Sequence, residues 1–444
     1  MSEAQQALAE ATDMNIVNTA VNKLRVGRKL EHAESHDYPF TSEAPADGQS
    51  FYIYNVGQHR FFCGGAKWGT HAALGWPGIE VTLKRISGNT YAIDTHVKGA
   101  GDNEHWLNSS AYLDHDAETY GWTFVKQTGG TYVIRSAEAG TILGFAPFTQ
   151  LDGELYYDHV ALLAGADIKN PDNQWLLVSR EQRNQLLAKA SADSPIDASH
   201  YIKMPNFSQH EYEEAEGGWD GANGAWKHNT VGDAGNITIS ERGACYPDFA
   251  FQCWNANPLN LTQTITVPPG RYEMTLNGFY REGNKENHTA ILTSGGTPKQ
   301  PAKLYVNNTE VATLPGIHEA ANMLPGVGWK GEAGEWADVA HDAVEYFQCG
   351  YYFVESDEFE VGERGRLIIA LRKSNAKAYD WTLVDNFRLI CLGLTDANGI
   401  TEVNDELSSA NSPLSTIHNL AGQSILTPTS RGIYIIKGNK VLIK

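Results

Sequence analysis

The hexapeptide Thr90–Thr95, TYAIDT, returns at Thr131–Ser136 as TYVIRS, with Tyr91 and Tyr132 separated by 41 residues. Upstream, SFYIYNV around Tyr52 fills the same slot. Each opening leads through a loop and a short apolar piece to a closing segment. The closers are IEVTLKRISG from Ile79, YGWTFVKQTG from Tyr120 and NQWLLVSREQ from Asn173. Val81, Trp122 and Trp175 hold one equivalent position in them, at spacings of 41 and 53 residues. A period of about 40 residues made of short alternating strands fits a propeller blade or a trefoil lobe. Three copies are too few for a propeller, which needs at least about four blades. The reading is therefore three lobes closing into one barrel, each giving one large side chain to a shared core.

On these residues, 50–178 resembles a ricin-type β-trefoil, whose lobes end in a Gln-x-Trp-like closer. Only the third lobe keeps it, as Asn173-Gln174-Trp175. The sugar sites of that family carry an early Asp in each lobe. The corresponding slots here read Cys63-Gly64-Gly65, Asn108-Ser109-Ser110 and Gly144-Phe145, none with the Asp. The resemblance thus implies the fold more strongly than a working sugar site.

Composition narrows the function. Acidic residues outnumber basic ones by 53 to 34, a net charge of −19. Phosphate neutralisation needs clustered Lys and Arg, so nucleic acid is an unsuitable partner, and anionic lipid is disfavoured for the same reason. No apolar run approaches the roughly 18 residues of a membrane-spanning helix. The five cysteines contain no Cys-x-x-Cys, and Cys245 and Cys253 are read as separate buried residues in preference to a bridge across a turn. No signal peptide is read at Met1-Ser2-Glu3.

In order, residues 1–49 predict a helix over 3–30 and a polar linker over 31–49. After the barrel, 179–198 predicts a spacer helix capped by Ser179, with Gln182 at capping-box spacing. Residues 199–393 carry short alternating strands and turn signals such as Pro268-Pro269-Gly270, the pattern of a β-sandwich. In RYEMTLNGFY, from Arg271, period two puts Tyr272, Met274, Leu276 and Gly278 on one face. The order MPNFSQ, GGW at Gly217–Trp219, VPPGRYEMTLNGFYR and DWTLVDNFRL resembles a galactose-binding-like (jelly-roll) carbohydrate-binding module. That resemblance implies a structural calcium near Asp385, although Ser208 stands where such modules commonly have Glu. Without the calcium, Asp385 would cap a turn or pair with Arg388.

Residues 394–444 predict a small β domain ending in a hairpin around Gly438-Asn439. Its tokens NLAGQ and GIYIIKGNKVLIK resemble the C-terminal sorting domain of the type IX secretion system of Gram-negative bacteria. That implies export by secretion machinery to the cell surface or exterior.

Catalytic motifs are lacking. Gly326, Gly328 and Gly331 spell G-x-G-x-x-G, but no strand leads in and no βαβ unit surrounds them. Aromatic residues beside amides are the better signal, because sugar rings stack on aromatic faces while amides and guanidinium bond their hydroxyls. The candidates are Trp219, Asp220 and Trp226 in a Gly-rich loop, Trp254 with Asn255 and Asn257, and Tyr280 with Arg281 at a strand end. Burial of Trp254 and Tyr280 in the sandwich core is the competing reading. Trp329 and Trp336 form a second candidate loop. The sequence thus predicts a mainly β, non-catalytic, glycan-binding protein; the rivals are an adhesin with spacer modules and, behind it, a glycoside hydrolase.

Overall fold

The computed structural model describes residues 35–64, 71–97, 104–116, 118–147, 159–207, 250–254, 259–374 and 377–395 with side chains, and several further strands by backbone. Of the predicted N-terminal helix, Val21, Leu24 and Gly27 are described and helical.

The chain is mainly β. Ten strands make the first sheet: β1 (Ser50–Asn55), β2 (Arg60–Ala66), β3 (His71–Gly75), β4 (Glu80–Ser87), β5 (Thr90–Asp94), β6 (Trp122–Lys126), β7 (Tyr132–Ser136), β8 (Ile142–Ala146), β11 (His159–Leu163) and β12 (Trp175–Val178). A small hairpin, β9 (Thr149–Leu151) with β10 (Glu154–Tyr156), lies within the third lobe. Six of the ten close a ring, β1–β4–β5–β6–β7–β12–β1, every neighbour antiparallel. The pairs β2–β3 and β8–β11 form two lobes' outer hairpins, and Trp106 bridging His115 marks the third. Closure of the ring removes the exposed edges an open sheet would leave.

The repeat has an exact structural counterpart. Phe51 pairs Val81, Tyr91 pairs Trp122 and Tyr132 pairs Trp175, and all six side chains are buried in one core. Both tryptophans donate Nε1–H to a backbone carbonyl, Trp122 to Leu107 (3.1 Å) and Trp175 to Leu143 (2.9 Å). The first lobe's equivalent opener is therefore Phe51 and not Tyr52. Period two turns Tyr52 to the opposite face, where it joins Tyr54, Phe61, Trp76 and Val178 in a separate aromatic cluster. Asn108, in one of the empty Asp slots, accepts the N–H groups of Ser110 and Tyr112 and so holds its own turn.

That outer cluster corrects two expectations about connections. The segment from residue 35 is not a loose linker: Tyr38 and Phe40 pack on the cluster, and Asp197 N–H donates to the Tyr38 hydroxyl. Nor is the following helix a mere spacer. Helix α1 (Arg180–Leu187) starts at Ser179, whose hydroxyl accepts from Gln182 N as expected. Its Arg183 is buried, with the guanidinium 4.4 Å from the Phe61 ring and 4.5 Å from Tyr52. Arg183 also donates to Pro77 O at 2.7 Å and lies 3.8 Å from Asp197. Arg180 reaches the Tyr52 hydroxyl, Glu80 and His200 O, so the helix ties the barrel to the start of the sandwich.

The sandwich has two antiparallel sheets. One carries β15 (Ile237–Ser240), β16 (Ala250–Trp254), β26 (Trp381–Leu394), β18 (Gly270–Arg281) and β23 (Phe353–Glu355), with β13 (Ile196–Asp197) and β24 (Phe359–Val361) alongside. The other runs β14 (Lys227–Thr230), β17 (Leu259–Thr266), β25 (Arg366–Lys373), β19 (Ala302–Val306), β20 (Thr309–Thr313). Between them lie Tyr272, Met274, Leu276 and Tyr280 from β18, facing Leu261, Ile369 and Leu371. A cover made of residues 284–294 and 316–352 folds over the outer face of the first sheet. It contributes α2 (Lys285–Thr293), the hairpin β21 (Trp329–Gly331) with β22 (Gly334–Trp336), and α3 (Ala340–Gln348), and forms a second core against Phe279, Trp381 and Leu383. Gly328 sits at φ +111°, where a Cβ would fall 1.9 Å from Trp336 O; its glycine serves this hairpin, not a nucleotide.

Cys63, Cys253, Cys349 and Cys391 are buried, and Cys245 lies outside the described residues. The C-terminal strands form a five-stranded sheet, β27 (Ile400–Glu402), β31 (Asn439–Ile443), β30 (Gly432–Ile436), β28 (Ile417–His418), β29 (Ser424–Ile425), with β27 parallel to β31. Ile436 pairs Asn439, which moves the hairpin connection one residue earlier than Gly438-Asn439.

Candidate functional site

Alternation along β18 decides which predicted residues can work together. Tyr280 and Arg281 are neighbours in a strand and so face opposite sides of the sheet. Tyr280 points between the sheets, 1% exposed, and gives its hydroxyl to Asp380 Oδ2 at 3.0 Å. Burial and the Asp380 carboxylate push its phenol well above the usual tyrosine range. Tyr280 is thus a core residue, which corrects its assignment to the sugar site.

Arg281 takes the other face. The register pairs Trp254 with Trp381 and Trp381 with Arg281, so three strands bring these residues into one row at the sheet end. The Arg281 guanidinium lies 4.9 Å from the Trp254 ring and 5.3 Å from that of Trp381, within cation–π range. Its Nε donates to Gly283 O at 3.1 Å, and among the described residues its terminal nitrogens donate to nothing. Burial lowers its pKa to about 10, partly offset by Asp338, Glu286 and Asp380, so it stays cationic at neutral pH. Although 2% exposed, it is the polar floor under a half-buried Trp254.

A second stacked pair adjoins the first. Lys285 Nζ lies 5.5 Å over the half-buried Trp329 ring and 2.9 Å from Asp338 Oδ2. Trp336, the other member of that predicted loop, is fully buried beneath Trp329, ring centres 5.5 Å apart. Tyr379, two residues before Trp381 in the chain, is 55% exposed. Trp381, Lys285 and Asp338 were not singled out in the sequence, because strand register and the folding-over of residues 284–294 and 316–352 bring them here. Trp219, Asp220, Trp226, Asn255 and Asn257 lie outside the described residues.

Beneath this region His288 and His318 form a relay. Glu282 N–H donates to His288 Nδ1 (3.3 Å), which leaves the proton on Nε2 to be given to His318 Nδ1 (3.1 Å). Burial, reinforced by His318, lowers the His288 pKa to about 4. The folded state therefore binds the proton less well than the unfolded chain, whose imidazole titrates near 6.5. This contribution to stability is complete above about pH 6.5 and is lost as the pH falls towards 4. The loss should be on the order of 3 kcal/mol. Denaturation of the parent and His288→Gln between pH 7 and 4.5 checks it: the difference between the two should shrink with acidity, and parallel curves would refute the assignment.

Asp385 is fully buried in β26, and its Oδ1 accepts the N–H of Asn386 at 2.7 Å. Asn386 in turn donates to Asn277 Oδ1. Among the described residues no three His, Cys, Asp or Glu side chains gather as a metal site. Calcium takes about six to eight oxygens, so Asp385 would have to be joined chiefly by backbone and amide oxygens.

No family model and no curated protein matches the chain. Among solved structures it is similar to the carbohydrate-binding module TmCBM61 in complex with β-1,4-galactotriose, at 15% identity and TM-score 0.23, covering 43% of this chain and 96% of that one. It is also similar to a protein of Bacteroides thetaiotaomicron assigned to sugar binding, at 13% identity and TM-score 0.19, covering 43% and 93%. A third likeness is to a GH31 α-xylosidase of Xanthomonas citri, at 10% identity and TM-score 0.11, covering 79% and 38%.

Proposed function

We propose that the chain is a non-catalytic carbohydrate-binding protein that takes a glycan at the sheet end around Trp254 and Arg281. One observation carries this reading: the Arg281 guanidinium lies within cation–π range of two indoles while its terminal donors remain unspent among the described residues. An indole offers the apolar face of a pyranose its partner, and a guanidinium fork bonds vicinal hydroxyls. Trp329 with Lys285 and Asp338 extends the same chemistry to a neighbouring sugar unit. Asp338 adds an acceptor, which suits neutral sugars. In the same proposal the C-terminal sheet engages secretion machinery and the protein acts outside the cell; the tail motifs support this.

Titration calorimetry of the intact chain against neutral and acidic oligosaccharides tests the site. The expected dissociation constants are high-micromolar to millimolar, about −4 to −6 kcal/mol. Trp254→Ala and Arg281→Gln should each weaken binding by about tenfold or more, a loss of about 1.4 kcal/mol. Folded variants that bind like the parent would move the site elsewhere. A parent that binds no glycan would favour the adhesin with spacer modules.

A further inference from the structure

A cleft lies where the barrel meets the sandwich. It encloses about 380 Å³, within the common range of small-ligand sites, and domain junctions are frequent places for them. The barrel lines it with Tyr52, Glu80 and His96, α1 with Arg180, and the sandwich entry with His200 and Tyr201. We infer that this cleft is a separate saccharide-binding site, for a neutral mono- or disaccharide. The inference rests on the carbohydrate-binding reading but uses none of the residues around Trp254.

Three observations support it. Glu80 and Arg180 sit 3.0 Å apart and keep 30% and 44% of their side chains exposed, so both retain capacity for a ligand. Such a pair accepts from one sugar hydroxyl and donates to its neighbour, while opposite charges favour neither an anionic nor a cationic ligand. The Tyr201 ring, half-buried and 4.4 Å from the His200 ring, offers a stacking face. Finally, His200, 6% exposed, has a fixed tautomer. Its Nε2 meets Asn184 Oδ1 at 2.9 Å and so carries the proton, leaving Nδ1 a lone-pair acceptor with no hydrogen-bond partner. With almost no accessible surface, it is reached by a sugar hydroxyl only when a neighbouring side chain moves, and the cost of leaving a buried acceptor without a donor favours that movement. Protonation does not relieve it, because burial and the nearby Arg183 and Arg180 hold the imidazole neutral.

The test uses the deuterated full-length chain and follows the amides of Ile79, Thr95 and Ile202 by NMR. The probes are the methyl β-glycosides of galactose and glucose, lactose and cellobiose. Saturable shifts at these amides are expected with at least one probe. Glu80→Gln and Tyr201→Leu should weaken them about tenfold, whereas Trp254→Ala should not remove them. Shifts confined to the neighbourhood of Trp254 would overturn the cleft and leave the proposed function standing. Shifts unaffected by both cleft variants would also overturn it. No shift anywhere with any probe would count against both.

Discussion

Replacing Trp122 with alanine is expected to destabilise the barrel by about 3–5 kcal/mol, the range for truncating a large buried aromatic side chain. Trp122 is fully buried and packs against Tyr120, ring centres 5.2 Å apart. Its removal opens a cavity at the place where the three lobes meet. It also strands the Leu107 carbonyl, which accepts from the indole, and an unsatisfied buried acceptor adds about 1–3 kcal/mol to such costs. Closure allows little relief, since each ring strand is hydrogen-bonded on both sides. Trp175→Ala, at the equivalent position, should cost a similar amount. Val81→Ala, which removes a smaller side chain and no hydrogen bond, should cost less. Urea denaturation followed by circular dichroism measures all three. A cost below about 1 kcal/mol for Trp122→Ala would mean that the shared core is not what holds the lobes together.

A comparable loss is expected for Lys373→Met in the sandwich. Lys373 Nζ and Asp380 Oδ1 are 2.9 Å apart, and both side chains are fully buried. Asp380 Oδ2 accepts from the Tyr280 hydroxyl at 3.0 Å and from Lys377 N at 3.2 Å, so the carboxylate is well satisfied where it is. Taking away only the lysine leaves a buried carboxylate without its cation, which costs about 3–5 kcal/mol. Replacing both partners with apolar residues of similar volume removes the desolvation penalty together with the attraction. Lys373→Met with Asp380→Leu should therefore be far less damaging than the single change. The comparison is a double-mutant cycle by chemical denaturation. Additive losses would show that the pair is not coupled. The same cluster explains why Tyr280 does not serve a sugar: its hydroxyl is committed to holding Asp380 in the interior.

What was legible in the sequence was whatever local periodicity encodes. The 41-residue return of the Tyr-opened strands, with Val81, Trp122 and Trp175 in step, announces three lobes because each must give one side chain to the same axis. Period two in RYEMTLNGFY identifies the buried face of β18. Ser179 and Gln182 mark the start of α1 because a cap satisfies backbone groups only a few residues away. Even within local pattern, the reading slipped by one residue at Tyr52, since SFYIYNV is apolar on both faces and alternation gives no sign of which face is inside.

The tertiary structure alone decided everything that depends on register between distant strands. Trp254, Arg281 and Trp381 become one row only because β16, β26 and β18 pair in that alignment; shifting a strand by one residue would send its side chains to the other face. Arg183, an ordinary polar position on a helical pattern, turns out to be buried, because the aromatic face it occupies is assembled from Tyr52, Phe61 and Trp76 in the other domain. The cleft beside it and the buried Lys373–Asp380 pair arise in the same way. Sequence specifies hydrophobic faces through short-range spacing, whereas a polar site is made by bringing together groups that share no spacing at all.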